Sequence, residues 1–203
     1  VAGANVIAVE PSGGMLGAAY FRELVLQKQN GKNIDPRDKK YVADISGDLL
    51  NPLFSSFVAR DLISPAQKFA VGRYTYLKDR AYAFENKLNE NTRGLLNKQL
   101  KHYKEDESKA NIPLLVFGSV VTRDGRKMLI STQPVRFMMQ PIHDSAYLPA
   151  MDPDIIDFTS FFAKQDPYNL RILTAMRMNA TFPVVLLNVW LPSESVIDVM
   201  DEG

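Results

Sequence analysis

The sequence predicts an α/β fold, a three-layer sandwich in which helices flank a mainly parallel sheet. Two observations predict it. Apolar β-branched runs alternate with stretches of helical periodicity, and the chain opens on a strand, a glycine turn and a helix in direct succession. A length of 203 residues, of which 46% are apolar, suits one domain with its own core. Residues 1–203 are therefore interpreted as a single domain.

The first part of the chain predicts one strand followed by helices. Residues 5–9 are apolar and β-branched, as in a buried parallel strand, and residues 15–29 show helical spacing that ends before a glycine. The Asp-Pro pair at 35–36 predicts the start of a second helix, because proline suits a first helical turn. Residues 48–63 predict a third helix, and residues 66–75 are expected to be irregular.

The stretch 77–109 is rich in charged residues and predicts a long helix that is broken near Asn91. Thr92 is expected to cap the segment after the break, since a threonine hydroxyl can accept from the first N–H groups of a helix. The Lys- and Glu-rich part, 87–109, is interpreted as a solvated helix face.

The clearest β signal lies in two apolar runs, 112–121 and 127–132, joined by a segment that contains Asp124 and Gly125. An Asp-Gly pair between two such runs predicts a hairpin, because glycine tolerates positive φ. Residues 138–158, rich in proline and aspartate, are expected to form a loop.

The last quarter of the chain predicts a helix over 169–178, an extended segment over 181–187 and a short strand over 195–200. This final strand leads directly into Asp201. The predicted order of elements therefore ends, as it begins, with a strand that delivers a polar residue.

Composition narrows the classes of function. The formal net charge of +1 gives no electrostatic footprint for nucleic acid. The chain has no cysteine, and its two histidines, His102 and His143, are far apart and form no H-E-x-x-H pattern, which argues against a zinc hydrolase. Both histidines are interpreted as surface or loop residues.

No apolar run reaches the ~18 residues that a membrane span needs, and the sequence starts without the basic and apolar regions of a signal peptide. A cytoplasmic or membrane-associated location is therefore expected.

Ser12 stands in the tight turn Glu10-Pro11-Ser12-Gly13-Gly14, between the first strand and the first helix. A serine hydrolase holds its nucleophile at such a turn, with helix N–H groups pointing toward the site. The turn matches G-x-S-x-G except that Glu10 replaces the first glycine. Two other interpretations stay open here: Ser12 caps an ordinary helix, or the glycines bind phosphate, although the G-K-[ST] ending of a phosphate loop is absent.

Four segments resemble the patatin-like phospholipases. Residues 12–24 (SGGMLGAAYFREL) are similar to the nucleophile elbow and following helix of that family, and residues 178–183 (MNATFP) to the segment before its final active-site strand. Residues 188–193 (NVWLPS) and 196–203 (VIDVMDEG) resemble the run into the D-x-G motif. The resemblance extends from one end of the chain to the other.

The resemblance implies a patatin-like fold and a Ser-Asp dyad, with Ser12 as nucleophile and Asp201 as base. Gly13 and Gly14 match the elbow, and the Gly13 N–H would serve the oxyanion. The implied reaction cleaves a carboxylic ester of a lipid through an acyl-enzyme, with no metal or organic cofactor. Asp198 is disfavoured as the base because it stands outside D-x-G.

Two departures from the family pattern bear on activity. Glu10 places a charged side chain beside the nucleophile, and the glycine-rich oxyanion loop that precedes the elbow in the family is absent from this chain. The chain is therefore expected to be a fragment that lacks the upstream strand with that loop. Losing an oxyanion donor costs roughly 3–4 kcal/mol of transition-state stabilisation, which is about 10²–10³ in rate.

These departures motivate an alternative, a catalytically impaired domain that keeps the fold and binds lipid or acts as a scaffold. Acyl transfer to an alcohol is a third possibility, because it shares the acyl-enzyme with hydrolysis. The expected partners are a lipid ester substrate and, through peripheral contact, a membrane surface, with no nucleic acid.

Overall fold

The structure is a computed structural model that describes residues 6–9, 14–35, 37–49, 51, 55, 58, 68–71, 74–77, 80–135, 155–180, 188, 189 and 191. Its strands are β1 (Val6–Val9), β2 (Lys68–Val71), β3 (Tyr74–Leu77), β4 (Leu114–Val120), β5 (Lys127–Ile130) and β6 (Ile155–Asp157). Its helices are α1 (Gly14–Gln29), α2 (Lys39–Ile45), α3 (Arg80–Asn91), α4 (Lys104–Ser108), α5 (Phe158–Phe161) and α6 (Ile172–Ala180). Short 3-10 turns cover Leu100–His102, Ala163–Gln165 and Pro167–Asn169.

Four strands form one mixed sheet in the order β1-β4-β5-β6. β1 runs parallel to β4, β4 runs antiparallel to β5, and β5 runs parallel to β6. The hairpin of β4 and β5 turns at Gly125, whose φ of 78° is one that glycine adopts without steric cost. The predicted Asp-Gly hairpin is therefore confirmed.

The two faces of β4 pack into different clusters, as the two-residue period of a strand requires. Leu115 and Phe117 belong to the main core, together with apolar residues of α1 and α6. Val116 points to the other face and packs with Leu129 and Val135 in a smaller cluster. Side chains of β4 therefore contribute to apolar clusters on both faces of the sheet.

Several elements follow the sequence closely. α1 covers the predicted 15–29, whereas α6 begins three residues later than the predicted helix 169–178 and ends at Ala180. The break in the long charged segment falls where it was predicted, because α3 ends at Asn91.

Other expectations are wrong. Residues 66–75 were expected to be irregular, but β2 and β3 pair there as an antiparallel ribbon. Thr92 does not cap a following helix, because its hydroxyl donates back to the Leu88 carbonyl at 2.8 Å and closes α3 instead. The second helix begins at Lys39 rather than near residue 35, since Asp38 accepts from the Lys40 N–H and acts as the cap.

Two further corrections concern the charged and loop segments. The stretch 87–109 is only partly solvated, because six of its residues are buried at intervals of three or four positions, namely Leu88, Thr92, Leu96, Leu100, Tyr103 and Glu107. Within the expected loop 138–158, the short strand β6 forms and pairs with β5. The predicted extended segment 181–187, the final strand 195–200 and most of the helix 48–63 lie outside the described residues.

Asp157 joins the end of β6 to α5 and is itself buried. Its Oδ1 accepts from the Thr159 N–H at 3.1 Å and the Thr159 hydroxyl at 2.8 Å, and its Oδ2 accepts from the Val135 N–H at 3.3 Å. Replacing Asp157 by alanine should lower the free energy of unfolding by about 2–3 kcal/mol, because it removes a cap and leaves buried donors unpaired. Urea unfolding measures this loss.

The cap of α2 provides the control for that prediction. Asp38 bonds the Lys40 N–H and pairs with the Lys40 ammonium at a largely solvated position, and these contacts hold the pKa of Asp38 below its usual range. Asp38→Ala should therefore lower the free energy of unfolding clearly less than Asp157→Ala does. Equal losses would contradict the account of Asp157.

Candidate active site

The expected elbow lies between β1 and α1. Ser12 and Gly13 fall outside the described residues, as do Glu10 and Asp201, whereas both flanks of the turn are described. β1 ends at Val9 and α1 begins at Gly14, so four residues connect the strand to the helix. This is within the usual length of a βα connection.

The register of the sheet locates the edge that this turn follows. Val9, the last residue of β1, is the partner of Phe117 in the parallel strand β4. β4 continues for three more residues, so Gly118, Ser119 and Val120 extend past the end of β1 at the same edge. Ligands of parallel α/β sheets bind outside the carboxyl ends of the strands, which is the edge that β1 and β4 share here.

The N-terminal end of α1 suits a negative charge. α1 is a helix of 16 residues and has no acidic residue in its first turn. Its first N–H groups lack intrahelical partners and carry the positive end of the helix dipole. A developing oxyanion at this end would therefore be stabilised, as anions at helix N-termini are.

No described neighbour lies close enough to Gly14 to require a glycine there. It is exposed, and a Cβ built on it would meet no described heavy atom within 4 Å. The described neighbours therefore leave room for a side chain at Gly14.

A buried ion pair fixes α1 against the rest of the core. Arg22 is 1% exposed, and its Nη1 donates to Oε1 of Glu107 at 2.5 Å, while its guanidinium lies 3.9 Å from the centroid of the Tyr103 ring. Glu107 also accepts from the Leu115 N–H of β4 and from the hydroxyl of Thr132. The pair thus connects α1, α4 and the sheet through one carboxylate.

Glu23, the next residue of α1, forms a second buried contact. Its carboxylate accepts from the Lys98 ammonium at 2.7 Å and from the Tyr103 hydroxyl at 2.8 Å. Burial, followed by the charge of Glu23, raises the pKa of Tyr103 well above its usual range, so this hydroxyl remains a donor.

The outer side of α1 is held in a similar way. The Tyr20 hydroxyl donates to Asp44 of α2 at 2.7 Å, and Arg93 pairs with the same carboxylate at 2.8 Å. Burial and the hydrogen bond to Asp44 raise the pKa of Tyr20. Consecutive residues of α1 therefore anchor it on two sides, which fixes the helix that follows the turn.

Sequence reasoning missed this framework, although a signal for it exists. Arg22 and Glu23 fall on the same helical stripe as Met15, Ala19 and Leu26, all of which are buried. Charged residues on an apolar stripe indicate buried partners, because an unpaired buried charge is costly.

The second half of the chain returns to the same core. Val189 and Leu191, from a segment that resembles the run into D-x-G, pack against the main cluster that also contains Met15 and Ala19 of α1. Asp198 and Asp201 lie outside the described residues.

Two clefts in the described part of the chain have linings that do not reach this edge. The larger, of about 420 Å³, is lined by Pro134, by α5 and by the 3-10 turns that follow it. The smaller, of about 230 Å³, lies between the C-terminal half of α1 and the turn that follows α3. Neither includes Gly14 or the end of β4.

The described residues were also compared with the ligand sets that metal ions need. They contain no group of three or more His, Asp or Glu side chains that could hold a metal ion. His102 is exposed and bonds to the backbone of Gln99, as expected for a surface residue, and His143 lies outside the described part. No helix within the described ranges is long and apolar enough to cross a membrane.

Comparisons with protein-family models, with curated proteins and with solved structures found no match to this chain.

Proposed function

We propose that this chain is a serine hydrolase that cleaves carboxylic esters of lipids, with Ser12 as nucleophile and Asp201 as general base, on a patatin-like three-layer fold. The observation that carries the proposal is the order of elements around Ser12. The segment that contains it follows the carboxyl end of β1, beside parallel β4, and leads into the N-terminus of α1. This is the setting in which a nucleophile elbow operates.

In the proposed reaction, the Ser12 hydroxyl attacks the acyl carbonyl while Asp201 accepts its proton. The carbonyl oxygen becomes an oxyanion beside the first N–H groups of α1, with the Gly13 N–H as one donor. Collapse of this intermediate breaks the ester C–O bond and leaves an acyl-enzyme, and the departing alkoxide takes the proton from Asp201 to leave as the alcohol. Water then attacks the acyl-enzyme and releases the fatty acid.

The buried contacts of α1 support the same proposal. An oxyanion donor is effective only if it is already in place when charge develops. Arg22 and Glu23 hold α1 to three residues of the stretch 98–107 through contacts of 2.5–2.8 Å. A helix anchored in this way presents its N-terminus without reorganisation.

The test is covalent labelling with a fluorophosphonate probe. We expect the wild-type chain to be labelled and Ser12→Ala to lose all labelling, because the probe forms its bond with an activated serine. Ser108→Ala is the matched control, since Ser108 is exposed and its hydroxyl only bonds the Glu105 carbonyl within α4. Ser108→Ala should label like the wild type.

Two results would contradict the proposal, namely no labelling of the wild type, or labelling that survives in Ser12→Ala. An unlabelled protein that still binds phosphatidylcholine vesicles would instead be the lipid-binding domain that Glu10 suggests. If the protein is labelled, product analysis with added glycerol separates hydrolysis from acyl transfer.

A further inference from the structure

A pair of hydrogen bonds fastens the C-terminal end of α6 to the carboxyl end of β4. The Asn179 amide donates through Nδ2 to the Gly118 carbonyl at 2.6 Å. The Ser119 hydroxyl donates in the opposite direction, to the Met178 carbonyl at 3.1 Å. These two reciprocal bonds, made by Ser119 and Asn179, are called the clasp below.

The clasp lies at the edge that the proposed elbow follows. Phe117 is paired with Val9, where β1 ends, and the clasp begins at the very next residue of β4. Neighbouring strands are about 4.8 Å apart, so the Gly118 carbonyl lies roughly one strand spacing from the point where the chain leaves β1 for Ser12. The clasp therefore borders the start of the turn.

The clasp fixes α6 relative to β4 through directed hydrogen bonds rather than through burial of apolar surface. Asn179 is 7% exposed, and its Oδ1 has no hydrogen-bond partner among the described residues. A buried amide with an unpaired oxygen costs free energy, whereas an apolar side chain at the same place would not. What asparagine supplies there is a directed donor to a single carbonyl.

α6 has a second, separate anchor that holds its body. Glu85 of α3 pairs with Arg177 at 3.2 Å and accepts from Thr174 at 3.2 Å. The helix is therefore kept in the fold without the clasp, and the clasp fixes only its last turn against β4. Losing the clasp should loosen this edge without unfolding the helix.

We propose that Ser119 and Asn179 are positioning residues for the Ser12 turn. By fixing the end of β4 against α6, they fix the parallel strand beside which β1 ends. This inference rests on the proposed hydrolase function for its consequence in catalysis, while its structural part stands on the clasp alone. A misplacement of about 1 Å at a reacting group can cost 10²-fold in rate.

The variants are Asn179→Ala, Ser119→Ala and Ser119→Thr. The threonine keeps the hydroxyl and suits a strand, so it should restore what the alanine removes. Asn111→Ala is the control, because Asn111 is exposed and its amide only bonds Asp106 at the surface. Ser119 is half-buried, so its alanine variant should fold even if Asn179→Ala does not.

Two readouts are measured on the whole chain. The first is amide hydrogen exchange in peptides covering residues 14–20 and 114–120, where we expect at least threefold faster exchange in both alanine variants. The second is the rate of fluorophosphonate labelling and the kinetics on a short-chain ester. We expect labelling and kcat to fall about tenfold with KM changed less than twofold, as for a loss confined to the transition state.

The outcomes separate the clasp from the hydrolase proposal. If both alanine variants exchange and label at wild-type rates, the positioning role of the clasp is wrong. A lower melting temperature with unchanged labelling would also overturn this role. Failure of Ser119→Thr to restore both readouts would also overturn it. If the wild type is not labelled at all, the hydrolase proposal fails, and the exchange rates alone then decide whether the clasp fixes this edge.

Discussion

Replacing Glu107 by alanine is expected to lower the free energy of unfolding by about 3–5 kcal/mol, the largest stability effect that we predict for this chain. The Glu107 side chain is fully buried, and Arg22, its partner, is 1% exposed. Removing the carboxylate leaves the guanidinium as an uncompensated charge inside the core. Two of its nitrogens, Nε and Nη2, already have no hydrogen-bond partner among the described residues.

The loss is measured by urea unfolding followed by far-UV circular dichroism. In thermal unfolding, where one kcal/mol shifts the melting temperature of a domain of this size by roughly 2–4 °C, the melting temperature should fall by about 6–20 °C. Glu107→Gln tests the charge separately, since it keeps the shape and the contact with the Leu115 N–H but weakens the bond to Arg22. The stability of Glu107→Gln should lie between that of the wild type and that of Glu107→Ala.

A surface pair on the same short helix is the matched control. Oε1 of Glu105 in α4 lies 2.5 Å from Nζ of Lys109, the residue that follows α4, but both side chains are exposed, so solvent screens their interaction. Glu105→Ala should leave stability unchanged within error. A loss for Glu107→Ala no larger than that of Glu105→Ala would contradict the role given to the buried pair.

A double replacement isolates the cost of the unpaired charge. Arg22→Met combined with Glu107→Leu removes both charges and keeps apolar volume, and buried pairs replaced in this way often lose little stability. We expect the double variant to recover the part of the Glu107→Ala loss that the unpaired charge causes, because the Leu115 N–H and the Thr132 hydroxyl lack this acceptor in both variants. The labelling of Ser12 in the double variant then reports whether the pair also serves to hold α1.

Local patterns predicted the elements whose formation depends on neighbours in sequence. The hairpin of β4 and β5 needed only its glycine turn and two apolar runs. α1 needed only the helical spacing of residues 15–29. In both cases, tertiary packing agrees with what the local sequence prefers.

The failures occurred where tertiary contacts decided. β2 and β3 formed a ribbon in a segment too short and irregular to show strand alternation. Glu107 was assigned to a solvated face because its neighbours are charged, yet it is buried by Arg22, which is 85 positions away. Glu107 continues the spacing of the buried Leu96, Leu100 and Tyr103, and this spacing indicated burial although the neighbouring charges suggested exposure.

The candidate site likewise has a part that is local in sequence and a part that is not. The turn that carries Ser12 is a local feature, and the strand and helix on its two sides were both predicted. The pairing of Ser12 with Asp201 is not local, since 201 − 12 = 189 positions separate the two residues. Spacing contains no information about such a contact, so this pairing was predicted from the family resemblance alone.

Replacing Asp201 by asparagine is expected to lower kcat/KM on a short-chain ester by about 10³–10⁴, the largest effect on activity after loss of the nucleophile itself. Asparagine keeps the size of the side chain but cannot accept the proton that Ser12 must release. The loss should therefore appear in kcat, with KM changed little, because the proton moves only on the way to the transition state.

Asp198→Asn is the matched control, because it makes the same change three residues earlier in the same run. It should keep activity close to that of the wild type. If Asp198→Asn loses activity while Asp201→Asn retains it, the base has been assigned to the wrong aspartate, although the Ser12 nucleophile would stand. If both variants match an active wild type, no carboxylate in this run is the base, and the Ser-Asp dyad itself is wrong.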